Sequence, residues 1–283
     1  MKPWTRYIIK RFPLQEQIPL IAGLVLTGAG LQLSPMGIPE TIISVIGITL
    51  FLFLARLQID TRDYLQDVQR TQHQKPLARS IVRLNDLKAA RWFCWAGLMV
   101  FGIVLFILEF STAGLALLAM GAWMGIAGKN YFLRHILSGH PFIHSFLDHC
   151  VLFPITLFSV AAFQPTMINE EKIIGVGGIF ALTLMNRELV KNLDPHSHSI
   201  LKNYHSLIGA ERTWVAMILI STVMIALSIL TGWWIPVATT QVAFHLFFAF
   251  LYLRTKRWDL IARMSFWFFI IYAWVEPVRQ WLK

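Results

Sequence analysis

The sequence predicts an all-α integral membrane protein, a bundle of about nine transmembrane helices, and three observations carry that expectation. Apolar runs of about 20 residues recur along the 283-residue chain, the length a helix needs to cross a bilayer core. Charged side chains are 14% of the composition and hydrophobic ones 56%, whereas soluble domains carry roughly 25% charged residues. Lysine and arginine collect in alternate connections between the apolar runs, as they do on the cytoplasmic side of membrane proteins.

The elements follow in order. The first residues, MKPWTRYIIKRFPLQEQ, are basic and broken by Pro13, and no apolar stretch precedes a small-residue cleavage site. They read as a retained cytoplasmic N-terminus and not as a signal peptide. Apolar spans are expected over 18–34, 38–56, 89–108, 112–128, 142–163, 173–190, 213–231, 233–253 and 258–276. The sixth is the softest, because Gly175, Gly177 and Gly178 interrupt it and Arg187 and Glu188 sit at its end. Together the spans form a single polytopic membrane domain over 1–283. Cys94 and Cys150 both fall within apolar spans, where cysteine acts as a small hydrophobe, so neither a disulfide nor thiol chemistry is expected.

Sidedness tests this count. The N-terminus and the connections 56–91, 129–134, 187–212 and 254–263 lie on one side and hold all but Lys172, Arg279 and Lys283 of the 25 lysines and arginines. That side is expected to be the cytoplasm, with the protein in a bacterial cytoplasmic (inner) membrane. The net charge of +10 therefore reflects insertion topology and contact with anionic membrane lipids, and nucleic acid is not an expected partner.

The longest polar connection carries the strongest chemical signal: RLQIDTRDYLQDVQRTQHQKPLARSIVRLNDLKAAR. Asp60, Asp63 and Asp67 stand at i, i+3 and i+7, within about 60° of one face of a helix. Like charges so placed repel one another, and a divalent cation relieves the repulsion. Mg²⁺ suits such a site, since it takes hard oxygen ligands and usually completes its shell with water and phosphate oxygens. A solvated helix end, with Asp63 and Asp67 paired to Arg62 and Arg70, accounts for the same spacing. Lys75, Arg79, Lys129 and Arg134 fall on the same side of the membrane and could clamp phosphoryl oxygens, although each alone is an ordinary topology residue.

A second cluster follows span six in LMNRELVKNLDPHSHSILKNYHSLIGAER. Glu188 and Asn192 stand at i and i+4, with Asp194 close behind as possible metal ligands and Lys191 between as a further phosphate partner; a helix end capped at Asp194-Pro195 explains them equally. His196, His198 and His205 invite a zinc site, but no cysteine or carboxylate completes a zinc spacing. Asp148 and His149 in span five, and Gln241 and His245 in span eight, are polar groups at membrane depth, where such groups line cavities or bond one another.

At its two acidic segments the sequence resembles the UbiA superfamily of intramembrane prenyltransferases. The family's first motif reads N-D-x-x-D-x-x-x-D followed by a basic P-L stretch, and here the chain has I-D-T-R-D-Y-L-Q-D and then K-P-L-A-R. Asp60, Asp63 and Asp67 fall in register, Lys75-Pro76-Leu77 stands where the family commonly has Arg-Pro-Leu, and Ile59 replaces the asparagine. Glu188 and Asn192 occupy the places of the second Asp-rich motif. The resemblance implies Mg²⁺-dependent transfer of a prenyl group from an allylic prenyl diphosphate to an aromatic or other lipophilic acceptor within the membrane. The three aspartates would then be catalytic as metal ligands. Two other classes stay open: a transporter or cation-permeation protein whose acidic cluster is an ion entrance, and a noncatalytic relative that binds prenyl lipids. Transport predicts charges deep in several spans or symmetric broken helices, of which the sequence offers few.

Overall fold

The computed structural model describes residues 2–32, 37–71, 82–128, 141–163, 169–193, 204–254 and 258–282, and within these the side chains of a few helical stretches are excepted. The fold is an all-helical membrane bundle. Among the described residues, six helices are long and apolar enough to cross a bilayer, and three shorter apolar helices fall where the remaining expected spans lie.

Helix α1 (Pro3–Arg11) opens with proline in its first turn and closes with Lys10 and Arg11, a sequence of helix-compatible ends. It is too short to cross and buries Tyr7. Helix α2 (Leu14–Gln32) is the first span and contains Pro19, whose carbonyl accepts a 2.8 Å bond from the indole of Trp274. Its Gly28 lets the backbone of a neighbouring helix approach, since a Cβ there would stand 2.1 Å from the Ser159 carbonyl oxygen.

Helix α3 (Ile38–Thr71) has 34 residues and does not stop at the end of the second span. At about 1.5 Å per residue it is roughly 50 Å long, against a hydrocarbon core near 30 Å, so its second half projects beyond the apolar layer. Positions 60, 63 and 67 lie on that projecting half as consecutive turns of one uninterrupted helix. Helices α4 (Leu84–Ile107) and α5 (Ser111–Gly128) form an antiparallel pair whose turn places Glu109 at φ 69. Their backbones meet where a Cβ on Gly114 would stand 2.7 Å from the Gly102 carbonyl oxygen. The exposed Phe93, Val100 and Ile107 of α4 are an apolar outer face, as lipid contact requires.

The expected span 142–163 is two helices, α6 (Pro141–His149) and α7 (Leu152–Ala161), separated at Cys150 and Val151. Pro154 explains the break: it has no N–H to offer the Cys150 carbonyl four residues back, which accepts from the Phe153 amide instead. Helix α8 (Glu170–Asn192) begins with the Asn169 side chain accepting a 3.0 Å bond from the Lys172 amide. It is the central helix, packed against α6, α7, α9 (Tyr204–Thr231) and α11 (Trp258–Ala273). The glycines that softened this span in the sequence are what let neighbours in, since a Cβ on Gly177 would meet Phe153 at 2.9 Å and one on Gly175 would meet Thr231 at 2.6 Å.

Helix α9 bends at Gly209, whose φ of 77 suits glycine. Helix α10 (Trp234–Arg254) follows a tight turn at Gly232, and α12 (Val275–Trp281) continues the chain past Trp274, where the ninth span ends. The largest buried apolar cluster joins α2, α3, α5, α7, α8 and α11 through Leu24, Phe51, Met120, Phe158 and Phe180 among others.

Candidate active site

The site grows from the projecting half of α3. Asp60 is fully buried there and faces α1, against which Leu57, Val82 and Leu87 also pack around Tyr7. The Tyr7 hydroxyl donates to Asp60 Oδ2 at 2.7 Å, and Arg11 donates from Nε to Oδ2 at 2.9 Å and from Nη2 to Oδ1. Arg56, one turn back on α3, brings its Nε to 3.7 Å from Oδ2. The carboxylate is thus held in a two-pronged guanidinium fork with a phenol beside it. Burial, and then the neighbouring Asp60 charge, push the Tyr7 phenol well above its ordinary range, so it remains a donor. Trp4 stacks edge-on against Tyr7 at 5.4 Å, and Phe12 against Phe53 at 5.6 Å, so the amphipathic α1 is anchored by both charge and apolar contact.

On the same side of the bundle is the C-terminal end of α8, where Arg187 is within electrostatic reach of Arg56. Glu188 accepts a hydrogen bond from the Ser145 hydroxyl of α6, and His149 Nε2 lies 3.5 Å from its other oxygen. Arg187 lies with its guanidinium carbon 5.1 Å above the Phe266 ring of α11, and its Nε is buried without a hydrogen-bond partner among the described residues. Arg56, Glu188 and Glu16 are the charges within electrostatic reach of it.

Each expected site residue can be placed against this geometry. Asp60 and Glu188 are present with the partners given above. Asp63 and Asp67 continue α3 on the Asp60 register, and Lys191 and Asn192 form the last turn of α8, but the side chains of these four lie outside the described residues. Lys75, Arg79, Lys129, Arg134 and Asp194 lie outside the described residues altogether. Among the described residues no group of three or more histidine, cysteine, aspartate or glutamate side chains comes together.

Tyr7, Arg11, Arg56, Ser145 and the placement of Arg187 were not expected from the motif spacing. Arg56 could have been found, since it stands four residues before Asp60 on the same helix. Arg11 could not: 49 residues separate it from Asp60, and only the packing of α1 brings them together.

For a divalent metal, the donor set on the α3 register is chemically apt, being carboxylate oxygen throughout. Asp60 has both oxygens engaged by Arg11, so the guanidinium competes with a metal for them.

Among the described residues, six long and three shorter apolar helices with an acidic register projecting from the second span make a helical membrane protein, and that fold is shared with a solved structure. The particular solved structure that carries this comparison is digeranylgeranylglyceryl phosphate synthase in membranes, which matches with a TM-score of 0.66 over 98% of each chain at 13% identity. No family model matches the sequence, and no curated protein matches it by sequence.

Proposed function

We propose that this protein is a Mg²⁺-dependent prenyltransferase, moving a prenyl group from an allylic prenyl diphosphate to a lipophilic acceptor within the bilayer. The observation that carries the proposal is the register of Asp60, Asp63 and Asp67 on the projecting half of a helix in a prenyltransferase fold. Asp60, Asp63 and Asp67 would hold the metal, with Arg11 competing for the Asp60 oxygens. Bound there, the metal would supply positive charge to a departing diphosphate. Lys75, Arg79, Lys129, Arg134 and Lys191 supply further positive charge to the leaving oxygens, and Glu188, Asn192 and Asp194 form the second ligand cluster. Arg187, a cation over an aromatic ring at the same end of α8, adds to the charge available to an anion. The apolar interior takes the isoprenoid tail, and the whole chain acts as one polytopic unit with its polar mouth towards the cytoplasm of an inner membrane.

The test is turnover. Purified protein in bilayer nanodiscs is given radiolabelled prenyl diphosphates of several chain lengths, Mg²⁺ and a panel of lipophilic acceptors. Mg²⁺-dependent diphosphate release is expected with at least one donor, and its absence with all of them sinks the proposal. The hold of Arg11 on Asp60 favours a second reading, a relative that binds prenyl lipids without turning them over. Saturable binding of a prenyl diphosphate with no release selects that reading.

A further inference from the structure

Where α3, α4 and α5 meet, at the end of the bundle on which lysine and arginine collect, their side chains leave a groove of about 300 Å³, its open mouth included. Leu54 and Gln58 of α3, Arg91, Trp92 and Trp95 of α4, and Met124 and Gly125 of α5 line it. Gln58 and Asp60 are two positions apart and therefore about 200° apart around α3, so the groove and the Tyr7–Asp60 contact lie on opposite sides of that helix.

Arg91 gives the groove its chemistry. Among the described residues it makes no hydrogen bond or ion pair, no other charged side chain is within electrostatic reach of it, and its guanidinium carbon lies 5.6 Å from the centre of the Trp92 ring. An arginine present for topology alone carries its head out to water. Arg91 is instead half-buried beside two indoles. The Trp95 indole donates to the Gly121 carbonyl at 2.8 Å, and Trp92 meets Trp95 edge-on at 5.5 Å, so the rings form a fixed corner next to the cation. With its N–H spent, Trp95 offers the groove a ring surface and no donor. Gly125 keeps the space open, since a Cβ there would stand 3.3 Å from the Trp95 indole nitrogen.

An occupant of this groove must bring an anion to Arg91 and an apolar body to the indoles, Leu54 and Met124. The outside of α4 says what that body is. From the groove α4 runs into the bilayer, and Ile103 and Phe106 stand 11 and 14 positions beyond Trp92, within about 40° of it around the helix. Trp92, Ile103 and Phe106 are 48%, 48% and 47% exposed, so they form an open apolar track. At about 1.5 Å per residue the track is roughly 15–20 Å long, the reach of one acyl chain. A free phosphate would use Arg91 and ignore the track, whereas a phospholipid uses both.

We infer that the groove between α3, α4 and α5 binds one anionic phospholipid, with its phosphodiester on Arg91 and an acyl chain along Trp92, Ile103 and Phe106. The guanidinium donates to the phosphate oxygens, and the Trp92–Trp95 corner packs against the glycerol backbone at the level where indoles sit in membranes. Basic pockets between spans take lipid head groups in this way. A head group of net negative charge is preferred to a zwitterionic one, because choline returns a positive charge to the side of Arg91, where no carboxylate answers it. This site is separate from the acidic register and does not depend on prenyl transfer.

The experiment titrates the full-length protein, stripped of lipid in a maltoside detergent, with dioleoylphosphatidylglycerol or dioleoylphosphatidylcholine and counts bound lipids by native mass spectrometry. Wild type is expected to take one phosphatidylglycerol about tenfold more tightly than phosphatidylcholine, the effect of a charge-assisted hydrogen bond. Arg91→Gln should shrink that preference to less than about threefold, while Arg6→Gln, the same charge change at an exposed position of α1, should leave it in place. Gly125→Leu, which fills the groove and keeps Arg91, should weaken the tight binding of phosphatidylglycerol about tenfold or more. Equal affinity of wild type for the two lipids overturns the inference. Equal loss in Arg91→Gln and Arg6→Gln also overturns it, since net charge then explains the preference. Millimolar inorganic phosphate should not displace the bound lipid, and displacement would make the ligand a free anion and overturn the assignment to a phospholipid. If Arg91→Gln fails to insert, Gly125→Leu and the wild-type pair of lipids still decide.

Discussion

Asp60 and Glu276 are both fully buried carboxylates, each gripped through two donors by an arginine, and they stand towards opposite ends of the bundle. Glu276 accepts from Arg279 at 2.8 Å twice, from the Trp233 indole at 2.7 Å and from Gln280 at 2.5 Å, while Gln280 also donates to the Gly30 carbonyl at 3.2 Å. Those bonds tie α12 to α2 and to the start of α10. Asp60 has a similar fork, from Arg11, but it stands at the head of a register with Asp63 and Asp67, and its grip comes from a nine-residue amphipathic helix. Burial and ion pairing are therefore common to a joint and to a candidate site. What distinguishes the two is the neighbouring sequence: Glu276 has no second acid on its helix face, and Asp60 has two.

The largest effect should come from the register itself. Asp63→Ala and Asp67→Ala are each expected to lower prenyl transfer by at least about a thousandfold, roughly 4 kcal/mol of barrier, with normal insertion. Glu276→Gln should leave the rate within about threefold. Full activity in both aspartate variants would erase the difference between the two carboxylates.

Next come the arginines. Arg279→Ala strips the guanidinium fork from Glu276, and Arg11→Ala strips it from Asp60, which keeps Arg56 at 3.7 Å; each loss should cost up to about 3–5 kcal/mol in thermal unfolding of the detergent-solubilised protein. Mg²⁺ separates them, because a metal at the α3 register can replace the Arg11 charge but nothing comparable serves Glu276. Added Mg²⁺ should raise the unfolding midpoint of Arg11→Ala more than that of Arg279→Ala, and equal responses would argue against a cation site beside Asp60.

A smaller loss is expected from Tyr7→Phe, which deletes one hydrogen bond to a charged group and should cost about 2 kcal/mol, read as faster proteolysis of α1. The smallest effect contrasts two glycines. Gly28→Ala drives a Cβ to 2.1 Å from backbone and should destabilise by about 1–3 kcal/mol. Gly97→Ala meets nothing within 4 Å and should stabilise α4 by about 0.5–1 kcal/mol. Thermal unfolding of the two variants side by side checks the sign.

Much of the fold was legible because crossing a bilayer imposes length and polarity on each helix independently of its neighbours. The apolar runs and the lysine and arginine asymmetry needed no tertiary information, and the acidic register needed only helical periodicity. Even so, local composition misled at span six, where Gly175, Gly177 and Gly178 looked like weakness and are the places where Thr231 and Phe153 pack closest to the central helix. The break in span five had a local cause in Pro154, which an apolar count passes over.

The candidate site was legible only along the chain. Helical spacing placed Asp60, Asp63 and Asp67 on one face, and the same rule would have added Arg56. It had no means of adding Arg11, Tyr7 or the Ser145 that bonds Glu188, because those contacts depend on which helices pack together. Likewise Gln241 and His245 were visible as a polar pair one turn apart, but their meeting with Ser221, and through it with Asn186 35 positions away, depends on which helices pack together. By itself, then, the sequence determined the class of protein and the register of its acids, since both follow from repeats within single helices. Tertiary structure decided which acid is masked and which polar side chains meet in the interior, because a buried group's partners are set by packing across the bundle.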